Sequence, residues 1–207
     1  MLCMGEISPQ LADNEAWVDQ TFEKCDDILH RQVYLGQGRQ EGLLVYVEVA
    51  VSNLMLEEHV IGLSDVQPLK SYEEGKAALL AGNGLLFLDG DTNCYKISSK
   101  GYPGLGVKKA ENEKVIRGSQ EAFTESEKIN VALIRKRLRD SRMKVEEQTV
   151  GVRSHTMTAL VYMEDLIYQG LLTTMKQQLQ RYEIDGILDS GMLEQLSEKH
   201  WLSPFPQ

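Results

Sequence analysis

Residues 131–166, "VALIRKRLRDSRMKVEEQTVGVRSHTMTALVYMEDL", decide the fold. Ile129, Leu133 and Leu138, with Ile134 beside them, supply the apolar side of a helix running from Thr124 to Asp140. "MKVEEQTVG" then alternates as a strand does, "VRSH" makes a turn, and "TMTALVYME" reads as a buried return strand. Residues 22–51, "FEKCDDILHRQVYLGQGRQEGLLVYVEVAV", share that order of helix, strand, turn and apolar strand without sharing the residues. The pattern predicts an α/β protein of two small lobes, each a mixed sheet with flanking helices, joined by a glycine-containing linker.

The boundaries follow from composition: a first lobe over 1–107, a linker over 108–122 and a second lobe over 123–207. In the first lobe Val18, Phe22, Cys25 and Leu29 recur at helical steps through "EAWVDQTFEKCDDILHRQ", with Asp13 or Asn14 as cap. "LLVYVEVAV" is a strand buried on both faces, and Ser71–Ala81 a short helix ended by Gly82. "GLLFLDGDTNCYKIS" is a hairpin turning at Asp89–Thr92. It is not a calcium loop, because Cys94 replaces the turn glycine and Lys100 the bidentate glutamate. The glycines between Lys100 and Gly118 match neither a dinucleotide fingerprint nor a phosphate loop, which leaves a linker. In the second lobe Thr124 and Glu127 form a capping box, and "DLIYQGLLTTMKQQLQRYEI" is a long amphipathic helix. Two lobes imply a cleft, where a small ligand or an ion could bind.

Thirty-one acidic against 22 basic side chains give a formal net charge of -9, a field that repels phosphate backbones. Six of the ten residues from Arg135 to Lys144 are nonetheless basic. A helix C-terminus favours cations, so Arg135, Lys136, Arg139, Arg142 and Lys144 need no nucleic acid to explain them. They form a candidate interaction surface for an acidic partner or anionic lipid headgroups; nucleic-acid binding through the Arg135–Lys144 face is the weaker alternative, and no nucleic-acid partner is expected. Acidic pairs such as Asp26-Asp27 and Glu146-Glu147 read as solvated charge. Three scattered cysteines suit a reducing compartment, and four scattered histidines give no metal pattern. Neither a leader peptide nor a membrane span is expected, the longest apolar stretch being Leu43–Val51. With no nucleophile elbow and no convergent acid-base pair, the expectation is a chain without catalytic residues, cofactor or metal.

Several stretches taken in order resemble the A subunits of bacterial spore germinant receptors. They are "GSQEAFTESEKINVALIRKRL", "VGVRSHTMTALVYMEDL", "IDGILDSGMLEQL" and "SPFPQ", which together cover Gly118 to Gln207. The resemblance makes Gly118, Glu121, Phe123, Thr124, Glu127, Asp185, Gly186, Asp189, Ser190 and Gly191 candidate structural motif positions. Ser119, Gln120 and Ala122 stand where the family pattern has Pro, Arg and Gly, so a role resting on that arginine is not carried over. The resemblance implies a soluble domain preceding a membrane region, on the cytoplasmic, spore-core side of the inner spore membrane. Its implied partners are receptor subunits of B and C type and its own membrane domain, and its implied work is receptor assembly and signal transmission in nutrient-triggered germination.

Overall fold

The computed structural model describes residues 5–36, 40–49, 66–98, 122–181, 184–187 and 191–193. Helix α1 (Leu11–Thr21), strands β1 (Ile28–Leu35), β2 (Gln40–Val47) and β3 (Val66–Leu69), helix α2 (Tyr72–Leu80), β4 (Gly84–Leu88) and β5 (Cys94–Ile97) make the first half. The second half is α3 (Glu127–Arg137), β6 (Met143–Val150), β7 (Thr156–Met163) and α4 (Gln169–Arg181). The expected α/β class is thus observed, as a five-stranded sheet, a two-stranded sheet and flanking helices. All of the linker placed at 108–122 except Ala122 lies outside the described residues.

The five strands run in the order β1-β2-β4-β5-β3, every neighbour antiparallel. β2 is the strand that "LLVYVEVAV" predicts: Leu43 to Val47 are all buried, at the centre of a core that includes Leu79, Leu85, Phe87 and Cys94. α1 and α2 pack on β2 and β4, and Trp17 lies flat on Tyr72 with ring centroids 4.6 Å apart. The short edge strand β3 contains Pro68, which cannot extend the ladder and so blunts that edge.

The helix expected over "EAWVDQTFEKCDDILHRQ" stops early. It ends at Thr21, Lys24 takes a left-handed φ of 60°, and Ile28 begins β1. Val18, Phe22 and Cys25 are buried and Leu29 packs on the same core, but from a helix, a turn and a strand. The spacing reported burial, while eight paired positions against β2 and the Ile, Val and Tyr content of β1 chose the extended backbone. Neither Asp13 nor Asn14 caps α1, whose N-cap is Gln10. Asp13 accepts from the Ser8 hydroxyl at 2.7 Å, and Asn14 is fully buried.

The capping box also changes place. Glu127 is the first residue of α3, with Ser126 as its N-cap, so Glu127 cannot reach back from the third position. Asn130 secures the entry instead: its carboxamide oxygen accepts from Thr124 N at 2.7 Å and its amide donates to Thr124 O at 2.8 Å. A related arrangement occurs at α2, where Ser71 Oγ accepts from Glu74 N at 3.3 Å and Glu74 Oε2 accepts from Lys70 N, one residue before the N-cap, at 2.9 Å. Gly82, at φ 89°, follows the end of that helix as the sequence predicts.

α3 packs on one face of the β6–β7 hairpin through Val131, Met143 and Val145, with Ile134, Ala159, Val161 and Met163 around them. β7 is half-buried along most of its length rather than a buried return strand, since its other face carries Tyr162 beside Glu146. Leu138, expected on the apolar side of α3, is the C-cap and 47% exposed. α4 is shorter than the stretch predicted for it and buries Leu172, leaving Leu171 and Met175 exposed.

Candidate functional site

The two halves meet where the chain leaves α1. Asp26 N–H donates to Val145 O and Val145 N–H donates to Lys24 O, both at 2.9 Å. Cys25 thereby pairs in parallel with Val145, so a short run of the first half adds to the β6–β7 sheet before β1 begins. The Asp26 carboxylate accepts from Glu147 N at 2.7 Å, and the Cys25 thiol contacts Met143 O at 3.5 Å.

Asp27, next in sequence, turns the other way and is buried. Arg135 of α3 grips it with two prongs, Nε to Oδ2 at 2.8 Å and Nη2 to Oδ1 at 2.7 Å. The remaining nitrogen, Nη1, donates to Met143 O at 3.1 Å and to Asp140 O at 3.3 Å. Arg135 is 0% exposed and Asp27 4%. Burial works against the arginine's charge, but the bonds to Asp27 outweigh it and hold the guanidinium above its ordinary value. Burial also pushes the Cys25 thiol up, against the opposing pull of Arg135.

A second cross-half pair lies nearer solvent, Lys128 Nζ to Glu48 Oε1 at 2.5 Å. Partial burial raises the nearby Glu147 carboxyl, Lys128 opposes that, and the charges of Glu48, Asp26 and Glu127 reinforce it. Asp27, Val47, Glu48, Val131, Ala132 and Glu147 surround a cavity of about 10 Å³ between the halves, room for about one water. That cavity is too small for an amino acid or a sugar.

The basic run is not one surface. Arg135 and Lys144 have to be withdrawn from it: Arg135 is the buried anchor just described, and Lys144 is 5% exposed with Nζ 3.4 Å from Glu164. Arg142 is exposed but held by Asp140 at 2.5 Å and Asp165 at 2.7 Å, and its bonds lower the Asp140 carboxyl to about 2. Lys136 and Arg139 remain exposed, Arg139 Nε donating to the Lys136 carbonyl at 3.3 Å at the helix end. The signal for Arg135 was its helical phase, one turn after Val131 and on the face of the helix that Val131 buries.

The resemblance positions are partly brought together. Val152 N–H donates to Ile184 O at 2.8 Å, while Arg153 N–H and Ser154 N–H both donate to Asp185 O at 3.0 Å. Ile187 N–H returns a bond to Ser154 Oγ at 3.2 Å, and Thr156 Oγ1 donates to Ile187 O at 2.7 Å. Ile184, Asp185 and Ile187 thus clasp the β6–β7 turn, so the "VGVRSHT" and "IDGI" stretches meet in the fold. Phe123 is 69% exposed, Thr124 and Glu127 sit at the entry to α3, and Gly191 is exposed. Gly118, Glu121, Asp189 and Ser190 lie outside the described residues. Among the described residues no group of His, Cys, Asp and Glu is placed to hold a metal ion, and no helix is long and apolar enough to cross a membrane.

Fold and joint together define a two-part α/β domain whose halves keep separate cores. The family described as Bacillus/Clostridium GerA spore germination protein matches residues 52–207, and the chain belongs to that family. It is 29% identical to the uncharacterized membrane protein YfkQ of Bacillus subtilis (strain 168), over 97% of this chain and 43% of that one. With spore germination protein KA of the same organism the identity is 27%, over 97% of this chain and 41% of the relative. The chain therefore spans less than half the length of these relatives. Its fold is that of the N-terminal domain of the A subunit of the Bacillus megaterium spore germinant receptor GerK3, with a TM-score of 0.69 at 21% identity, covering 99% of this chain and 84% of the other.

Proposed function

We propose that this chain is a non-catalytic domain of a germinant receptor A subunit, serving receptor assembly and signal transmission during spore germination. The carrying observation is the family match over 52–207 together with a fold likeness that extends over 99% of the chain. The domain lies on the cytoplasmic, spore-core side of the inner spore membrane and contacts its own membrane region and the B and C type subunits. The greater length of relatives such as YfkQ, whose name records a membrane protein, supports the membrane region in that arrangement. Removing residues 1–207 from the full-length protein in a spore-forming host is expected to abolish the response to nutrients and the co-purification of the other subunits. Normal nutrient-triggered germination by such spores overturns the reading.

A further inference from the structure

We propose that the Asp27–Arg135 pair is a registration device: it fixes the orientation of the second half on the first and contributes little to the stability of either core.

Three observations carry it. The two apolar clusters share no residue, one lying within Ile7–Ile97 and the other within Val131–Met163. Across the joint Val47 faces Val131 and Ala132 around one small cavity, but neither apolar cluster extends into the other half. The halves meet through directed bonds: the parallel bridge at Cys25 and Val145, the Asp26 carboxylate on Glu147 N, the Lys128–Glu48 pair nearer solvent, and the two-pronged Arg135 on Asp27.

The arginine is the element that ties these together. Its fork fixes Asp27 in plane, and its remaining nitrogen holds the carbonyls of Asp140 and Met143, the entry into β6. One planar group thus sets three backbone segments at once: the turn before β1, the last turns of α3 and the start of β6. A buried ion pair repays its desolvation only partly, so its main effect is geometric where the surrounding cores are complete without it.

The test uses the 207-residue chain with Cys3→Ser, in which Cys25 and Cys94 are buried, and spin labels at Gln32→Cys on β1 and Met157→Cys on β7. Distance distributions are compared for the parent, Arg135→Lys, and the apolar replacement Asp27→Leu/Arg135→Met. Arg135→Lys keeps the charge and loses the fork; the double variant removes the pair without stranding a charge. Either variant that unfolds cooperatively is expected to give a distribution at least about twofold wider than the parent's. A parental width in such a variant overturns the proposal. Loss of cooperative unfolding in both also overturns it, because the pair would then be holding the cores themselves.

Discussion

Tyr72 donates its hydroxyl proton to the carboxamide oxygen of Asn14 at 2.7 Å. Asn14 Nδ2 donates in turn to Ser8 O at 2.9 Å, and Ser8 N–H to the Tyr72 hydroxyl at 3.2 Å. The ring of bonds joins the entry to α1 with the start of α2, under the Trp17 ring that stacks on Tyr72. Burial raises the Tyr72 hydroxyl above its ordinary value, so it stays a donor throughout the neutral range.

Tyr72→Phe keeps the aromatic stack and removes the donor, leaving the Asn14 oxygen buried without its partner. The expected loss is about 1–3 kcal/mol in urea unfolding, and Asn14→Ala, which strands both Tyr72 and the Ser8 carbonyl, costs at least as much. A Tyr72→Phe chain as stable as the parent contradicts the account.

How far the sequence carries this structure depends on what kind of interaction each signal reports. "LLVYVEVAV" and "GLLFLDGDTNCYKIS" were legible because continuous apolar runs and a turn of Asp and Gly act locally. The capping signature was not decisive: "SYEE" supplies an N-cap serine, whereas in "TESE" the helix begins only at Glu127, with Ser126 as its N-cap. The pairing at the joint was illegible for a different reason, although the helical phase of Arg135 marked it for burial. Asp27 and Arg135 are separated by 108 positions, and Asp27 taken alone resembles ordinary surface charge. The 184–187 clasp was not legible: the resemblance singled out both stretches, but the bonds between them required the fold.

The two cross-half ion pairs should respond differently to salt. Lys128 and Glu48 are 41% and 30% exposed at their side chains, so Lys128→Ala is expected to cost no more than about 1 kcal/mol. That cost should shrink towards zero in about 1 M salt, where charges are screened within about 3 Å. Arg135→Ala leaves Asp27 buried and alone and is expected to cost about 3–5 kcal/mol. Its penalty should change little with salt, because solvent ions do not reach it. Urea midpoints at low and high salt compare the two; a strongly salt-dependent Arg135→Ala penalty contradicts the burial argument.

The clasp on the β6–β7 turn can be opened from either side. Gly151 has a φ of 90°, and a Cβ there would lie 2.5 Å from Ser154 Oγ, the oxygen that accepts from Ile187 N. Gly151→Ala therefore strains the backbone and displaces the serine, with an expected cost of about 1–3 kcal/mol. Ser154→Ala removes the oxygen alone and is expected to cost about 1 kcal/mol. In both variants amide exchange at Val152, Arg153, Ser154 and Ile187 should quicken, with exchange in β2 unchanged. Parental protection at those four amides contradicts the clasp.

Cys94 offers a test by pH. Its side chain is 0% exposed, and Gly75 of α2 approaches so closely that an added Cβ would meet the sulfur at 3.5 Å. Burial, with a smaller contribution from the charge of Glu74, pushes the thiol from 9.0 up to about 12. Because the folded value lies above the unfolded one, the unfolded chain releases this proton first as the pH rises. The contribution of the buried thiol is therefore complete below about pH 9 and is lost progressively towards about pH 12, by about 1.4 kcal/mol per pH unit at most. Tyrosines and lysines titrate over the same range, so the informative quantity is the stability difference between the parent and Cys94→Ala. At about pH 8 that difference is the cost of the lost sulfur; by about pH 11 it should be smaller by more than about 1 kcal/mol, because alanine has no proton to lose. A difference that stays constant between those two pH values would mean that the Cys94 thiol ionises as readily in the fold as in water.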